Sequence, residues 1–112
     1  MTQTEAIVVI MTAPTRREAV ELAEMLVEKG LAACVQILPE MLAVYRWEGE
    51  IQHDPEHLIL AKTTRARFAE LEQAARVAHS YTTPEIIALP IVAGSTPYLA
   101  WLTASSLGSQ SS

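Results

Sequence analysis

Ala32-Ala33-Cys34-Val35-Gln36-Ile37-Leu38-Pro39 opens a strand-like run that resumes as Met41-Leu42-Ala43-Val44-Tyr45-Arg46-Trp47, turns at Glu48-Gly49, and returns through Ile51 to Thr63 around Leu58-Ile59-Leu60-Ala61. β-Branched and aromatic residues on both sides of an acidic residue and a glycine predict two antiparallel strands joined by a tight turn. Pro39 has no N–H to give to a ladder, so a bulge is expected there inside one long strand. The returning strand carries a polar section, Gln52-His53-Asp54-Pro55. Two consecutive strands with no helix between them, inside a chain that is helical on either side, decide the fold.

Towards the N-terminus, Glu5 to Thr12 is a short β-branched run that ends at Ala13-Pro14 and suits a strand apolar on both faces. Thr15-Arg16-Arg17-Glu18 has the spacing of a capping box. It predicts a helix with Val20, Ala23, Met25, Leu26 and Val27 on its apolar stripe, Glu21, Glu24 and Glu28 in water, and Gly30 as its left-handed stop. Towards the C-terminus, Thr63 or Thr64 caps a second helix carrying Phe68, Leu71, Ala75 and Ala78 and closing near His79. Glu85 to Val92 is a fourth strand, and Ser95-Thr96-Pro97 opens a short third helix with Tyr98, Leu99, Trp101 and Leu102. The order is βαββαβ plus a helix, an α+β class chain of ferredoxin-like, split βαβ arrangement. One domain is expected over residues 1–112, with its core over 6–107 and a flexible tail at 108–112.

The 112 residues carry a formal net charge of −5, and 19% are charged while 50% are apolar. A disordered chain is excluded by that apolar content, and nucleic acid is excluded as a partner because no excess positive charge is available for phosphates. The lone Cys34 fits a reducing compartment, and the start, Met1-Thr2-Gln3-Thr4-Glu5, lacks the basic and apolar regions of a leader. No apolar run approaches the ~18 residues of a membrane helix. The expectation is a cytoplasmic protein with no membrane partner.

A shortage of charge in so small a chain has a structural meaning. Helices on one face of a sheet leave the other face to water, and its strands should then alternate apolar and polar. Ile7 to Met11, Leu58 to Ala61 and Ile86 to Leu89 do not alternate. The run from Ala32 to Trp47, sixteen residues, would extend ~50 Å against a radius of gyration near ~13 Å for a compact chain of this size. A projecting hairpin and a two-faced sheet are both explained by a closed oligomer built through the second and third strands.

Several stretches occur in the order and spacing of one family: Thr12-Ala13-Pro14, Leu31-Ala32-Ala33-Cys34-Val35, Pro39, Tyr45-Arg46-Trp47-Glu48-Gly49, Lys62-Thr63 and His79-Ser80-Tyr81-Thr82-Thr83-Pro84-Glu85-Ile86. Over roughly Ala6 to Leu107 the chain resembles CutA proteins, the divalent-cation tolerance family. The resemblance implies a cytoplasmic homotrimer, similar in architecture to PII signalling proteins, with strands toward the trimer axis and helices outside. It also implies an association with tolerance to copper and other divalent ions. Gln36, Ala43 and Ser80 stand where the family commonly has Asn, Ser and Pro. The cysteine and paired histidines of copper-binding members correspond to Met11, Ala78 and His79, so the resemblance offers His79, with the Met11 thioether, as ligands for a transition metal. No cofactor is required by this reading; copper or another divalent transition metal is the ion it names.

His79 is either such a ligand beside Tyr81 and Glu85 or a cap at the helix C-terminus. Cys34 is a soft-metal thiolate or a packed apolar side chain. His53 and His57 lie four residues apart on an extended strand, about 13 Å, too far to share one ion without a bend. Tyr45 and Trp47 share a strand face and fit an oligomer interface better than a stacking platform. Lys62, Tyr81 and Glu85 are expected to form a ligand pocket at one end of the sheet, to which the second helix returns the chain; between subunits such a pocket would hold a small anion or a metal-bound ligand. With no glycine-rich phosphate loop, GxSxG elbow, paired-histidine zinc motif or CxxC, the sequence is not that of an enzyme. Three functions follow: divalent-cation tolerance through weak metal binding, a PII-like sensor with a metabolite in the intersubunit clefts, or a trimeric scaffold.

Overall fold

A computed structural model describes residues 5–107, and the expected tail at 108–112 lies outside the described residues. The elements run β1 (Ala6–Ala13), α1 (Arg16–Glu28), β2 (Cys34–Ile37), β3 (Met41–Trp47), β4 (Glu50–Thr64), α2 (Phe68–Ala78), β5 (Ile86–Pro90) and α3 (Thr96–Ala104), with one 3₁₀ turn at Arg65–Arg67. Five strands form one antiparallel sheet in the order β2-β4-β1-β5, with β3 also paired to β4. This is the α+β, split βαβ arrangement that the hairpin between two helices predicts.

β4 is the spine, and its 15 residues divide in two. From Thr64 to His57 it pairs with β1, closing at Ala13 opposite His57; from Glu56 to Glu50 it pairs with β3, starting at Met41 opposite Glu56. The second half leaves the body as a hairpin, and the chain is 45 Å in its longest dimension against 23 Å in its shortest. At the tip, Trp47 pairs with Glu50 around Glu48 at φ 51° and Gly49 at φ 82°. Two positive φ values in a two-residue loop match the right-handed twist of the strands, and only glycine adopts the second without strain.

Register assigns the two faces. Ile7, Val9, Met11 and Ala13 of β1 lie with Ile59 and Ala61 of β4 under Ala19, Leu22 and Leu26 of α1 and Leu71 and Ala75 of α2. Each large apolar side chain removed from water there contributes about 2 kcal/mol. On the other face α3 covers one end, where Leu102 is buried with Ala6 and Ala33. Beyond it Ile87 and Leu89 stay half-exposed, as do Leu42, Val44, Trp47 and Ile51 along the hairpin.

Local departures from the sequence reading have physical causes. Leu38 N–H still reaches the Leu58 carbonyl, but Pro39 cannot donate, so the expected bulged strand becomes two, β2 and β3. The buried stripe of α1 is Ala19, Leu22 and Leu26, and Val27 is exposed. Thr15 caps α1 by accepting from Glu18 N–H at 3.1 Å, whereas the Glu18 carboxylate turns away to Ser80. Thr63 caps nothing: its hydroxyl donates to the Leu31 carbonyl at 2.7 Å, and the 3₁₀ turn intervenes before α2. Gly30, at φ 67°, stops α1 as expected.

Candidate functional site

The chain's chemistry gathers where β1 ends, α1 begins and α2 gives way to the loop before β5. His79 is buried there as the residue after α2. Its Nε2 lies 2.7 Å from the Thr12 carbonyl oxygen, which can only accept, so Nε2 carries the proton. Its Nδ1 accepts from Tyr81 N–H at 3.0 Å. Both ring nitrogens are thus engaged by backbone, with Glu18 Oε2 at 3.4 Å from Nδ1. Glu18 Oε2 also accepts from the N–H of Ser80 at 2.9 Å and from its hydroxyl at 3.0 Å. The loop after α2 is therefore latched to α1 and β1 at once.

Tyr81 packs its ring against His79 at 5.0 Å between centroids and donates its hydroxyl to Glu56 Oε2 at 3.4 Å. Glu56 is the first hairpin residue of β4, and only 8% of it is exposed. Burial pushes its carboxyl above the ordinary carboxylate range; Tyr81 opposes this, and the Glu85 and Asp54 carboxylates add to it. Asp54, two residues further along the same face, accepts from the Tyr45 hydroxyl. That bond, with burial and the Asp54 charge, pushes Tyr45 up to about 12. Tyr81 is raised as well, first by burial and then by Glu56. The result is a row of carboxylates and phenols from the hairpin to the loop, with no Lys or Arg ion-paired to Asp54, Glu56 or Glu85 among the described residues. Beside it, His57 Nδ1 is buried with no hydrogen-bond partner.

Other expected site residues lie elsewhere. Met11 is fully buried on the face under the helices, while Cys34 is opposite Lys62 on the other face, next to the Tyr98 hydroxyl. The donors at the family's ligand positions do not fit a metal in one subunit: Met11 is enclosed in the core, Ala78 has no donor, and His79 has no free nitrogen. No three His, Cys, Asp or Glu side chains among the described residues converge closely enough to hold an ion. Lys62 does not join Tyr81 and Glu85. It stands six residues from Glu56 along β4, about 20 Å, because α2 carries the chain to the far end of the sheet from Lys62. Its ammonium donates to Gln36 Oε1. Tyr45 and Trp47 share one hairpin face, as expected, with Trp47 57% exposed. Glu56 and Glu18 are the site residues that sequence reasoning misses. The signal for Glu56 was its place beside the polar, Pro-containing section of β4; the signal for Glu18 was masked by its capping spacing.

Comparison with known proteins bears on this arrangement. Residues 7–105 match the family model described as CutA1 divalent ion tolerance protein. The chain belongs to the CutA1 family. The divalent-cation tolerance protein CutA of Thermus thermophilus is 47% identical over 95 residues, covering 85% of this chain and 92% of that protein. The chloroplastic CutA protein of Arabidopsis thaliana is 44% identical over 97 residues, 87% of this chain, which spans 53% of that longer protein. The structure described as the periplasmic divalent cation tolerance protein CutA from Archaeoglobus fulgidus superposes with a TM-score of 0.88 at 38% identity, covering 90% of this chain and 98% of that one. CutA1 relatives thus carry compartment labels that differ. In this CutA1 chain no helix among the described residues is long and apolar enough to cross a membrane.

Proposed function

We propose that this chain serves divalent-cation tolerance as a cytoplasmic, non-catalytic homotrimer that binds a transition-metal cation weakly, as cargo, at the carboxylate row at the base of its hairpin. The observation that carries the reading is Glu56. Its carboxyl is buried beside those of Asp54 and Glu85, with no Lys or Arg ion-paired to it among the described residues, so its ionised form is poorly balanced within one chain. A divalent cation suits such a cluster of oxygen donors. Oxygen donors favour weak binding in which water keeps much of the coordination sphere, and copper enters as one such cation. A trimer is supported by the bare apolar positions Ile87, Leu89, Val44 and Trp47, and it supplies from neighbouring copies the ligands that one subunit lacks. The cytoplasmic placement rests on the lone Cys34.

Calorimetric titration of Mn²⁺, Zn²⁺ and Cu²⁺ into the untagged protein tests this. Stoichiometric binding weakened at least tenfold by Glu56→Gln is the expected result. Binding indifferent to that change, or none by any of the ions, overturns it. Thermal stabilisation by a metabolite and by no metal would favour the sensor reading instead.

A further inference from the structure

Lys62 occupies an unusual place. Register puts it in one row with Leu89, Val8 and Cys34, on the face that α1 and α2 leave bare, with Ile87, Ile10 and Leu60 in the next row. Its ammonium bonds to the neutral amide of Gln36, and no carboxylate among the described residues lies within ion-pairing distance of it. Once another copy covers this face, that charge loses its water, and a buried ammonium requires an anion. At the far end of the same molecule, no Lys or Arg among the described residues is ion-paired with Asp54, Glu56 or Glu85. About 20 Å of β4 prevents the two ends from meeting within one chain.

We infer that Lys62 of one copy docks against the Asp54, Glu56 and Glu85 cluster of the next. The contact is head-to-tail: each copy presents an ammonium at one end and carboxylates at the other, so it repeats around the assembly until the ring closes. The partner is a second copy of this chain, selected by charge complementarity across a face already apolar enough to bury. One ammonium against three carboxylates leaves the cluster anionic, so the contact coexists with a bound divalent cation. This inference rests on the oligomer of the proposed function and deepens it by naming a charge partner that a neighbouring copy brings to the carboxylates.

The test mixes ¹⁴N- and ¹⁵N-labelled copies by joint unfolding and refolding, couples them with a zero-length carbodiimide, and reads the cross-linked peptides by mass spectrometry. A mixed-isotope link from Lys62 to Glu85, Glu56 or Asp54 is expected. In parallel, Lys62→Glu should weaken assembly at least tenfold, and Glu85→Lys in the same chain should restore it, with circular dichroism confirming folded subunits. Either the link or the loss and rescue supports the pairing. An oligomer showing neither overturns it and leaves the oligomer standing; a native protein that sediments as a monomer overturns both.

Discussion

Tyr81 donates its hydroxyl to Glu56 across 3.4 Å, and this bond ties the loop after α2 to the first residue of the projecting hairpin. The same loop is held from behind by His79, through Thr12 and Tyr81, and by Glu18, through Ser80. The hairpin base and the junction of α1, β1 and α2 are thereby one connected unit, and the buried carboxyl of Glu56 lies at its centre.

Glu56 gives the stability a pH dependence of definite sign. Its folded carboxyl is raised, first by burial, so the folded state holds a proton after the unfolded chain has lost it. The stability this confers is fully present below the unfolded value, about 4.3, and is lost as pH rises through the raised folded value. Glu56→Gln, which keeps an acceptor for Tyr81 and cannot ionise, is expected to match the native protein in melting temperature near pH 4. In a metal-free Lys62→Gln background, where no neighbouring ammonium reaches Glu56, it should exceed its parent increasingly towards pH 7. Thermal unfolding of both proteins across that range checks the sign.

His79→Ala is expected to destabilise the subunit by about 3 kcal/mol, because it leaves the Thr12 carbonyl and the Tyr81 N–H without their partner and opens a cavity. Metal stoichiometry should be unchanged, since neither ring nitrogen is free. Denaturant unfolding measures the first effect and calorimetry at a temperature where the variant is folded measures the second.

At the hairpin tip, Gly49→Ala is expected to cost about 1 kcal/mol. Beyond its two chain neighbours no atom lies within 4 Å of an added Cβ, so the cost belongs to the backbone at φ 82°. Glu48→Asn, at φ 51°, should stabilise by a few tenths of that, because asparagine tolerates the left-handed region better. Urea midpoints of the two variants move in opposite directions if this is correct.

Thr15→Ala removes the acceptor for Glu18 N–H and should cost about 1 kcal/mol. Glu18 remains anchored by Ser80, so the loop after α2 should keep its protection in amide exchange while the first turn of α1 loses its own.

The element order was legible because each signal was local: the β-branched runs, the Glu48-Gly49 turn, the Thr15 cap and the Gly30 stop act within a few residues of themselves. What the sequence concealed depends on distance. Pro39 predicts a disturbance in a strand, but that the chain divides into β2 and β3 there follows from β4 opposite it. Glu18 has the spacing of a capping box, and only the tertiary position of Ser80 reveals its real partner. Lys62 and Tyr81 bracket the same helix in sequence, which suggests one pocket; the length of α2 places them at opposite ends of the sheet. Glu56 was unremarkable as one acid among thirteen until its burial beside Tyr81 singled it out.

Bare apolar positions, a projecting hairpin and separated unbalanced charges are the observations on which the proposed homotrimer rests. Sedimentation equilibrium of the untagged protein at micromolar concentration measures that directly. A single species of three times the 12.3 kDa chain mass is the predicted result. A folded monomer that persists at those concentrations would contradict it.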